Sequence, residues 1–169
     1  MRIVKKKLPK SKGTYIIISR IGRPITINIG RLGPIYFGDG LYAYVGSAFG
    51  PGGLRARILR HLKKQKKKFW HIDYLLDHAH IEYIIIIESN KKLECIVAHE
   101  ISKQFKYIKD FGASDCNCPS HLFIIDDKEK LLRILDRLRI RYVVYRINNT
   151  NENASESRKN GVIKKCLYK

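Results

Sequence analysis

One strand–turn–helix pattern constrains the fold of this chain more than any other feature. Residues 41–45 are an apolar and aromatic run typical of a strand, and residues 46–53 form a loop with four glycines. Residues 54–64 then carry an apolar residue at every fourth position, which predicts a helix. Because glycine tolerates close contacts with its backbone, the end of such a strand is a place where a phosphate can approach the chain.

The other elements follow from the same kinds of pattern. Ile25, Ile27 and Ile29 alternate with polar residues and predict a half-buried strand, whereas four consecutive isoleucines at 84–87 predict a central one. We expect a hairpin-type turn at residues 38–40. The predicted strands span 15–19, 25–29, 35–37, 41–45, 81–88, 121–125 and 141–147, and the predicted helices span 54–64, 70–76, 93–105 and 128–138.

The charge of the chain indicates its class of partner. With 34 Lys and Arg against 15 Asp and Glu, the formal net charge of the 169 residues is +19, which favours a polyanion, and nucleic acid over a membrane surface. No apolar run reaches the length of a membrane span and no signal peptide is recognisable, so we expect a cytoplasmic protein. We predict a basic N-terminal extension (1–12), one domain (13–147) and a basic, disordered tail (148–169).

Two tyrosines are candidate catalytic groups. Tyr15 and Tyr44 lie on strands that we expect to be neighbours, and Gly46 follows the second. A tyrosine hydroxyl beside a cation can position or activate water. The alternative is that both are aromatic residues packed in a sheet.

A basic helix follows the glycine-rich turn. Arg57 and His61 are four residues apart, so they share one face and can reach one substrate, while Arg55 and Arg60 flank them. Arginine can clamp a phosphate in bidentate fashion. The alternative is an ordinary solvated helix face.

Glu94 is notable because acidic residues are scarce. It falls at the start of a predicted helix, where a carboxylate is favoured by the helix dipole. It is therefore either a simple helix-start residue or a single carboxylate ligand for Mg²⁺ or Mn²⁺, since magnesium binds through few carboxylates together with substrate phosphate.

A second group has the residue types of a zinc site. Cys116, Cys118 and His121 form a C-x-C-x-x-H run, and Cys95 can supply a fourth ligand. The spacing is not that of a standard zinc finger. The alternative is a tight loop with reduced, buried cysteines.

Lysines and aromatic residues follow the basic helix. Trp70 is preceded by a lysine run, so it either anchors a short helix in the core or stacks on unpaired bases. We expect contacts with nucleic acid from Gly46, Ser47, Arg55, Arg60, Lys63, Lys64, Lys66, Lys67, Lys68, Trp70 and His71.

These residues resemble the motifs of the GIY-YIG nuclease superfamily. Gly13-Thr14-Tyr15 is similar to the first motif, and Tyr44-Val45-Gly46 to the second. By this resemblance Arg57 matches the catalytic arginine and His61 the position that holds His or Tyr. Glu94 matches the metal-binding glutamate, with Glu100 as the second choice.

Longer phrases resemble a mainly archaeal branch of poorly characterised GIY-YIG-like domains, sometimes attached to a base-excision endonuclease. These phrases are residues 29–33, 42–48, 71–76 and 114–123, and the resemblance covers about 12–145. The two motifs are farther apart than is usual, so residues 20–40 are expected to be an inserted pair of strands. The superfamily's last asparagine has no clear match, although Asn117 or Asp115 can stand in.

The resemblance implies an α/β (α+β) fold with a central antiparallel sheet flanked by helices. It implies a Mg²⁺- or Mn²⁺-dependent DNA endonuclease of repair or recombination, with RNA left open as a partner. Tyr15, Tyr44, Arg57, His61 and Glu94 would be catalytic. The alternatives are a non-catalytic nucleic-acid-binding module that keeps the fold and a zinc-stabilised adaptor. Substrate structure and oligomeric state are not predicted.

Overall fold

A computed structural model describes residues 8–147 and the backbone of the strand at 162–165. The strands are β1 (Gly13–Ile21), β2 (Ile25–Asn28), β3 (Pro34–Phe37), β4 (Gly40–Ala48), β5 (His80–Glu88), β6 (Lys106–Tyr107), β7 (Leu122–Ile125), β8 (Tyr142–Arg146) and β9 (Val162–Lys165). The described helices are α1 (Gly53–His61), α2 (His71–Leu75), α3 (Glu94–Ser102) and α4 (Lys128–Arg137), with a 3-10 turn at Gly30–Leu32.

The centre of the fold is an antiparallel sheet of seven strands in the order β6-β7-β4-β1-β5-β8-β9. β1 lies in its middle, where Tyr15 pairs with Gly46 of β4 and with Ile86 of β5. This agrees with the predicted mixed fold and with Tyr15 and Tyr44 on neighbouring strands. β6 was not predicted, because two exposed residues carry no apolar period.

Alternate side chains of the central strands point into two separate hydrophobic cores, one on each face of the sheet. Ile17 of β1 faces the core formed with α1, α2 and the β2–β3 pair, whereas Ile16 and Ile18 face the core formed with α3 and α4. A strand buried on both faces has no polar alternation, which explains the continuous isoleucines of β1 and β5. The sheet is thus the middle layer of three.

The pair of strands predicted within residues 20–40 is present as a separate two-stranded sheet of β2 and β3, in which Ile25 pairs with Phe37. The turn predicted at residues 38–40 is not a hairpin, because β3 pairs with β2 rather than with β4. The segment 38–40 instead carries the chain from the small sheet into the large one.

The predicted terminal segments lie mostly outside the described residues, namely 1–7, 148–161 and 166–169. Within the tail, the structure has a strand at Val162–Lys165, beside β8, where disorder was predicted. Among the described residues, every helix is too short or too polar to cross a membrane.

Candidate active site and metal centre

A cleft of about 460 Å³ opens where β4 ends and α1 begins. It is lined from all three layers of the fold, by Tyr15 of β1 and Tyr44 of β4 in the sheet, Arg57 of α1 on one face and Glu94 of α3 on the other. Antiparallel pairing of β1 with β4 brings the two tyrosine rings to 6.5 Å between centroids. Four of the five residues predicted to be catalytic therefore meet in one cleft.

The fifth, His61, lies behind Tyr15. The Tyr15 hydroxyl and His61 Nε2 are hydrogen-bonded over 2.8 Å, and both side chains are buried. We assign the ring proton to Nδ1, which faces the Asp73 carboxylate, so that Nε2 accepts from the hydroxyl. Nδ1 has no hydrogen-bond partner within the described residues and lies 3.8 Å from Asp73 Oδ1, a distance that allows attraction but not a hydrogen bond.

The surroundings of His61 keep its ring neutral. Burial lowers the pKa of His61, Asp73 opposes this effect, and the cations Arg57 and Arg60 lower the pKa further. Burial also raises the pKa of Tyr15 well above its usual value. Both shifts disfavour a separated phenolate and imidazolium, so this pair can move a proton only as a relay, in which the phenol gains one proton as it gives up another.

Asp73 joins α1 to the start of α2. One oxygen accepts from Arg60 Nη1 (2.8 Å), and the other accepts from Arg60 Nη2 and from the backbone N–H groups of Phe69 and Trp70. Burial would raise the pKa of Asp73, but His61, Arg60 and these N–H groups hold it well below its usual range. Arg60 is thus engaged by a buried carboxylate, and its contact with nucleic acid stays a prediction.

Arg57 is positioned by an aromatic ring. Its guanidinium carbon lies 4.0 Å from the centroid of Trp70, and that of Arg60 lies 4.1 Å from the same ring. Stacking on an aromatic face restrains a long side chain and leaves the N–H groups available. Trp70 is therefore a platform for arginine, in addition to lining the cleft.

Tyr44 is also buried, at 7% exposure. Burial first, and then the charge of Glu94, raises the pKa of Tyr44 above its usual value. Gly112, at φ +75°, lies against its ring, and a Cβ there would be 3.0 Å from Tyr44 Cε2 and 3.2 Å from His121 Cβ. The glycine thus lets the 111–119 loop close over both residues.

Glu94 connects the cleft to the cysteine cluster. His121 Nδ1 lies 3.3 Å from Glu94 Oε1 and 3.3 Å from the carbonyl oxygen of Val45. Burial lowers the pKa of His121, but Glu94 and Cys116 raise it to about 9. Because both neighbours of Nδ1 are acceptors, this nitrogen carries a proton, and Nε2, which faces Cys116, is the atom that could bind a metal ion after losing its own proton.

The cluster consists of Cys95, Cys116, Cys118 and His121. Their ligand atoms all lie within 4.8 Å of one another, and Cys116 Sγ is 3.2 Å from His121 Nε2. These three cysteines are free thiols, as the alternative also predicted, but Cys95 is exposed and Cys116 and Cys118 are only partly buried. These four residues could hold a metal ion, and three sulfurs favour a zinc-like ion over magnesium.

The other predicted residues are divided between the cleft and the surface. Ser47 and His71 line the cleft, where His71 Nδ1 accepts the Gly112 N–H at 3.0 Å. Burial lowers the pKa of His71. Gly46 is buried, and a Cβ there would lie 2.4 Å from Cζ of Tyr15. The packing of Tyr15 therefore explains this glycine without a phosphate.

The basic residues of the predicted set are mostly exposed. Lys68 pairs with Asp77, and Lys66 Nζ donates to the carbonyl oxygens of His61 and Lys63. The remaining basic residues of this set are Arg55, Lys63, Lys64 and Lys67. Within the described residues, their side chains have no ion pair or hydrogen bond.

Some residues of the cleft were not predicted as site residues. Phe69, Lys92 and Asp115 line it, and only Asp115 was noted, together with Asn117, as a stand-in for an asparagine. Asn117 is exposed and is not among the residues that line the cleft. Glu100, the second choice for the metal-binding glutamate, pairs with Lys103 at 2.6 Å and does not line the cleft.

Residues 14–143 match the family described as "Domain of unknown function DUF123", and the chain belongs to this family. No curated protein and no solved structure is significantly similar to it.

Proposed function

We propose that this domain is a GIY-YIG-like, divalent-metal-dependent endonuclease that hydrolyses phosphodiester bonds of DNA in repair or recombination. The observation that carries the proposal is the cleft, which gathers Tyr15, Tyr44, Arg57 and Glu94, with His61 hydrogen-bonded to Tyr15. This hydrolysis needs a neutral group that can accept a proton, a cation and a carboxylate, and His61, Arg57 and Glu94 are such groups in or next to the cleft.

The proton path begins at Tyr15. Its hydroxyl can take a proton from the attacking water while it passes its own to His61 Nε2, 2.8 Å away. The imidazolium so formed is stabilised by Asp73, whose carboxylate lies 3.8 Å from Nδ1. Among the described residues, no acceptor is hydrogen-bonded to the Tyr44 hydroxyl as His61 is to that of Tyr15, so Tyr44 cannot pass a proton on in this way and instead orients the water.

Arg57 and Glu94 act on the phosphate. The guanidinium of Arg57, held on Trp70, neutralises the charge that develops on the phosphate oxygens. Glu94 would hold Mg²⁺ or Mn²⁺, whose chemistry is to stabilise the leaving oxygen. A carboxylate in a polar cleft fits a hard cation that binds through one or two carboxylates and a substrate phosphate, and Asp115 is a second carboxylate there.

A specific observation also favours structural zinc at Cys95, Cys116, Cys118 and His121. The donor set is Cys₃His, a common set for structural zinc, and the carboxylate of Glu94 next to His121 Nδ1 is the usual outer partner of a zinc-bound histidine. Zinc would link α3 to the 111–119 loop. Metal analysis of the purified protein should find about one zinc per chain, and Cys116→Ser with Cys118→Ser should remove it, whereas a metal-free native protein would contradict this assignment.

The test of the nuclease is cleavage of labelled DNA with Mg²⁺, Mn²⁺ or EDTA at about 0.15 M salt, a concentration at which nonspecific binding is moderated. Wild type should cut, and Glu94→Gln, Arg57→Ala and Tyr15→Phe should each lose at least 100-fold in rate. Glu100→Gln, on the same helix but outside the cleft, is the matched control and should cut normally.

Binding separates the proposal from its alternative. The three variants should bind DNA almost as well as wild type, since the roles assigned to them belong to the chemical step. DNA binding without cutting by the wild type, with any of these metals, would indicate the non-catalytic nucleic-acid-binding module instead.

A further inference from the structure

An exposed aromatic side chain stands at the cleft. Phe69 is 77% exposed, the largest exposed fraction among the large apolar residues that the structure describes, and it lines the cleft together with Phe49 and Arg57. Phenylalanine is normally removed from water. An aromatic face left open beside a phosphate-binding arginine indicates a ligand that covers it.

Phe69 is held in this exposed position. Its backbone N–H donates to Asp73 Oδ2 at 2.9 Å, and this carboxylate is in turn fixed by Arg60. The Phe69 ring contacts the edge of Trp70 in a T-shaped arrangement, with 5.2 Å between centroids and 82° between planes. The backbone of Phe69 is therefore held by the buried Asp73 carboxylate, and its ring is held by Trp70. The exposed position of the ring is thus fixed by the surrounding structure.

The chain that leads into Phe69 is cationic, because it carries the lysine run at 63–68. Arg57 and Lys92 line the cleft with Phe69, beside the two carboxylates that the proposal gives to the metal ion. A cationic frame around an aromatic ring disfavours an apolar peptide as the ligand. It suits nucleic acid, in which the phosphates meet the lysines and a base meets the ring.

We propose that Phe69 stacks on an unpaired nucleobase next to the phosphate that Arg57 contacts. The substrate class is then DNA with an unpaired or unstacked nucleotide at the cleavage point, such as a bulge, gap or flap, rather than continuous duplex. The reason is that both faces of a base inside a duplex are covered by its neighbours, whereas an unpaired base offers a face to an aromatic side chain. This inference rests on the proposed function and names its substrate.

The experiment uses DNA with 2-aminopurine as a single-nucleotide bulge, in EDTA and about 0.15 M salt, so that binding is measured without cleavage. The wild type should quench the fluorescence of the bulged base on binding, and Phe69→Ala should lose this quenching. Phe69→Ala should also bind the bulged DNA about tenfold more weakly, equivalent to about 1.4 kcal/mol, with unchanged affinity for continuous duplex.

Two variants complete the test. Phe69→Trp should retain the quenching, because it keeps an aromatic face. Tyr36→Ala removes another exposed aromatic ring, 65% exposed on β3 and outside the cleft, and should behave as wild type. Equal quenching and equal affinity for wild type and Phe69→Ala would overturn the inference.

The experiment distinguishes a failure of this inference from a failure of the nuclease proposal. A parallel reaction with Mg²⁺ or Mn²⁺ reports cleavage by the wild type. Quenching that depends on Phe69 without any cutting would contradict the nuclease and leave base stacking supported. Metal-dependent cutting of continuous duplex and bulged DNA at equal rates, unaffected by Phe69→Ala, would support the nuclease and contradict this substrate class.

Discussion

The cleft depends on single residues that fit one another closely. Gly46 lies opposite Tyr15 in the β1–β4 ladder, and the tyrosine ring fills the space where a side chain would be. The ring is thereby directed to His61. The glycine of the second motif and the tyrosine of the first are thus one packing unit, which gives a physical reason for their occurrence together.

Replacement of this glycine should destabilise the protein. A Cβ in Gly46→Ala would be 2.4 Å from Tyr15 Cζ and Oη, so the ring or the strand must move. Overpacking of this kind costs about 1–3 kcal/mol. Urea denaturation should show the loss, while Gly22→Ala, where nothing lies within 4 Å of the added Cβ, should remain close to wild type. Equal stability of the two variants would show that Tyr15 is free to move.

His61 should make stability depend on pH. Its pKa is lowered in the folded protein by burial, and its usual value is 6.5. Above about pH 6.5 the ring is neutral in both states. As the pH falls below this value the unfolded chain takes up a proton first, so the free energy of unfolding decreases until the folded pKa is reached.

Variants can assign this pH dependence. The groups facing His61 are Tyr15, Asp73, Arg57 and Arg60. The raised pKa of Tyr15 and the lowered pKa of Asp73 keep both groups in their native charge state at pH 5–7.5. Urea denaturation at pH 7.5 and 5.5 should show a smaller loss of stability for His61→Gln than for wild type, whereas His78→Gln, at an exposed histidine, should match wild type. An NMR titration of native His61 checks the same point without a variant, and a midpoint at or above 6.5 would contradict it.

At the scale of elements, α2 is held at its start by one carboxylate. Asp73 accepts hydrogen bonds from Arg60 of α1 and from the backbone of Phe69 and Trp70. A helix of five residues has little stability of its own. The position of α2 therefore depends on this link to α1, and so does the position of Trp70, on which Arg57 stacks.

Asp73→Asn should loosen both helices. The variant leaves Arg60 without its charged partner and turns an acceptor into a donor, and breaking a buried pair costs about 3–5 kcal/mol. Thermal denaturation should show a large decrease in Tm. Asp77→Asn, which breaks the exposed pair with Lys68, should cost about 0–1 kcal/mol. A small effect of Asp73→Asn would mean that packing alone holds α2.

The elements themselves were well predicted where the pattern is local. The helix after the glycine-rich loop and the central isoleucine strand follow from residue spacing, and so does the inserted strand pair. The hairpin turn at 38–40 was wrong because the choice of partner for β3 depends on long-range pairing. The ion pair of Arg60 was missed because its partner Asp73 is thirteen residues away.

The candidate site shows the same division. Tyr15, Arg57 and Glu94 were named from motifs, but the hydrogen bond between Tyr15 and His61 spans 46 residues and is visible only in the fold. Phe69 was not singled out, because a sequence does not show which aromatic residue stays exposed. Its neighbour Trp70, which was named as the base-stacking residue instead, is partly covered by two arginines.

On the scale of the whole molecule, charge is distributed by layer. The lysine run at 63–68 leads from α1 towards the cleft, whereas Arg133 and Arg137 are exposed on α4, which packs on the opposite face of the sheet. With a net charge of +19, nonspecific attraction to DNA is expected from every face. The location of the cationic contacts therefore has to be measured as a salt dependence rather than as an affinity.

Lys64 and Lys67 are exposed, and their side chains have no ion pair or hydrogen bond within the part of the chain that the structure describes. If both contact phosphates, Lys64→Gln with Lys67→Gln should reduce the slope of log K against log salt by about 1.8, since each contact contributes about 0.9. Arg133→Gln with Arg137→Gln removes the same charge from the far face and should leave the slope unchanged. Fluorescence anisotropy with duplex DNA from 50 to about 300 mM salt measures both slopes. If both double variants reduced the slope equally, DNA binding would depend on the net charge of the molecule rather than on the surface beside the cleft.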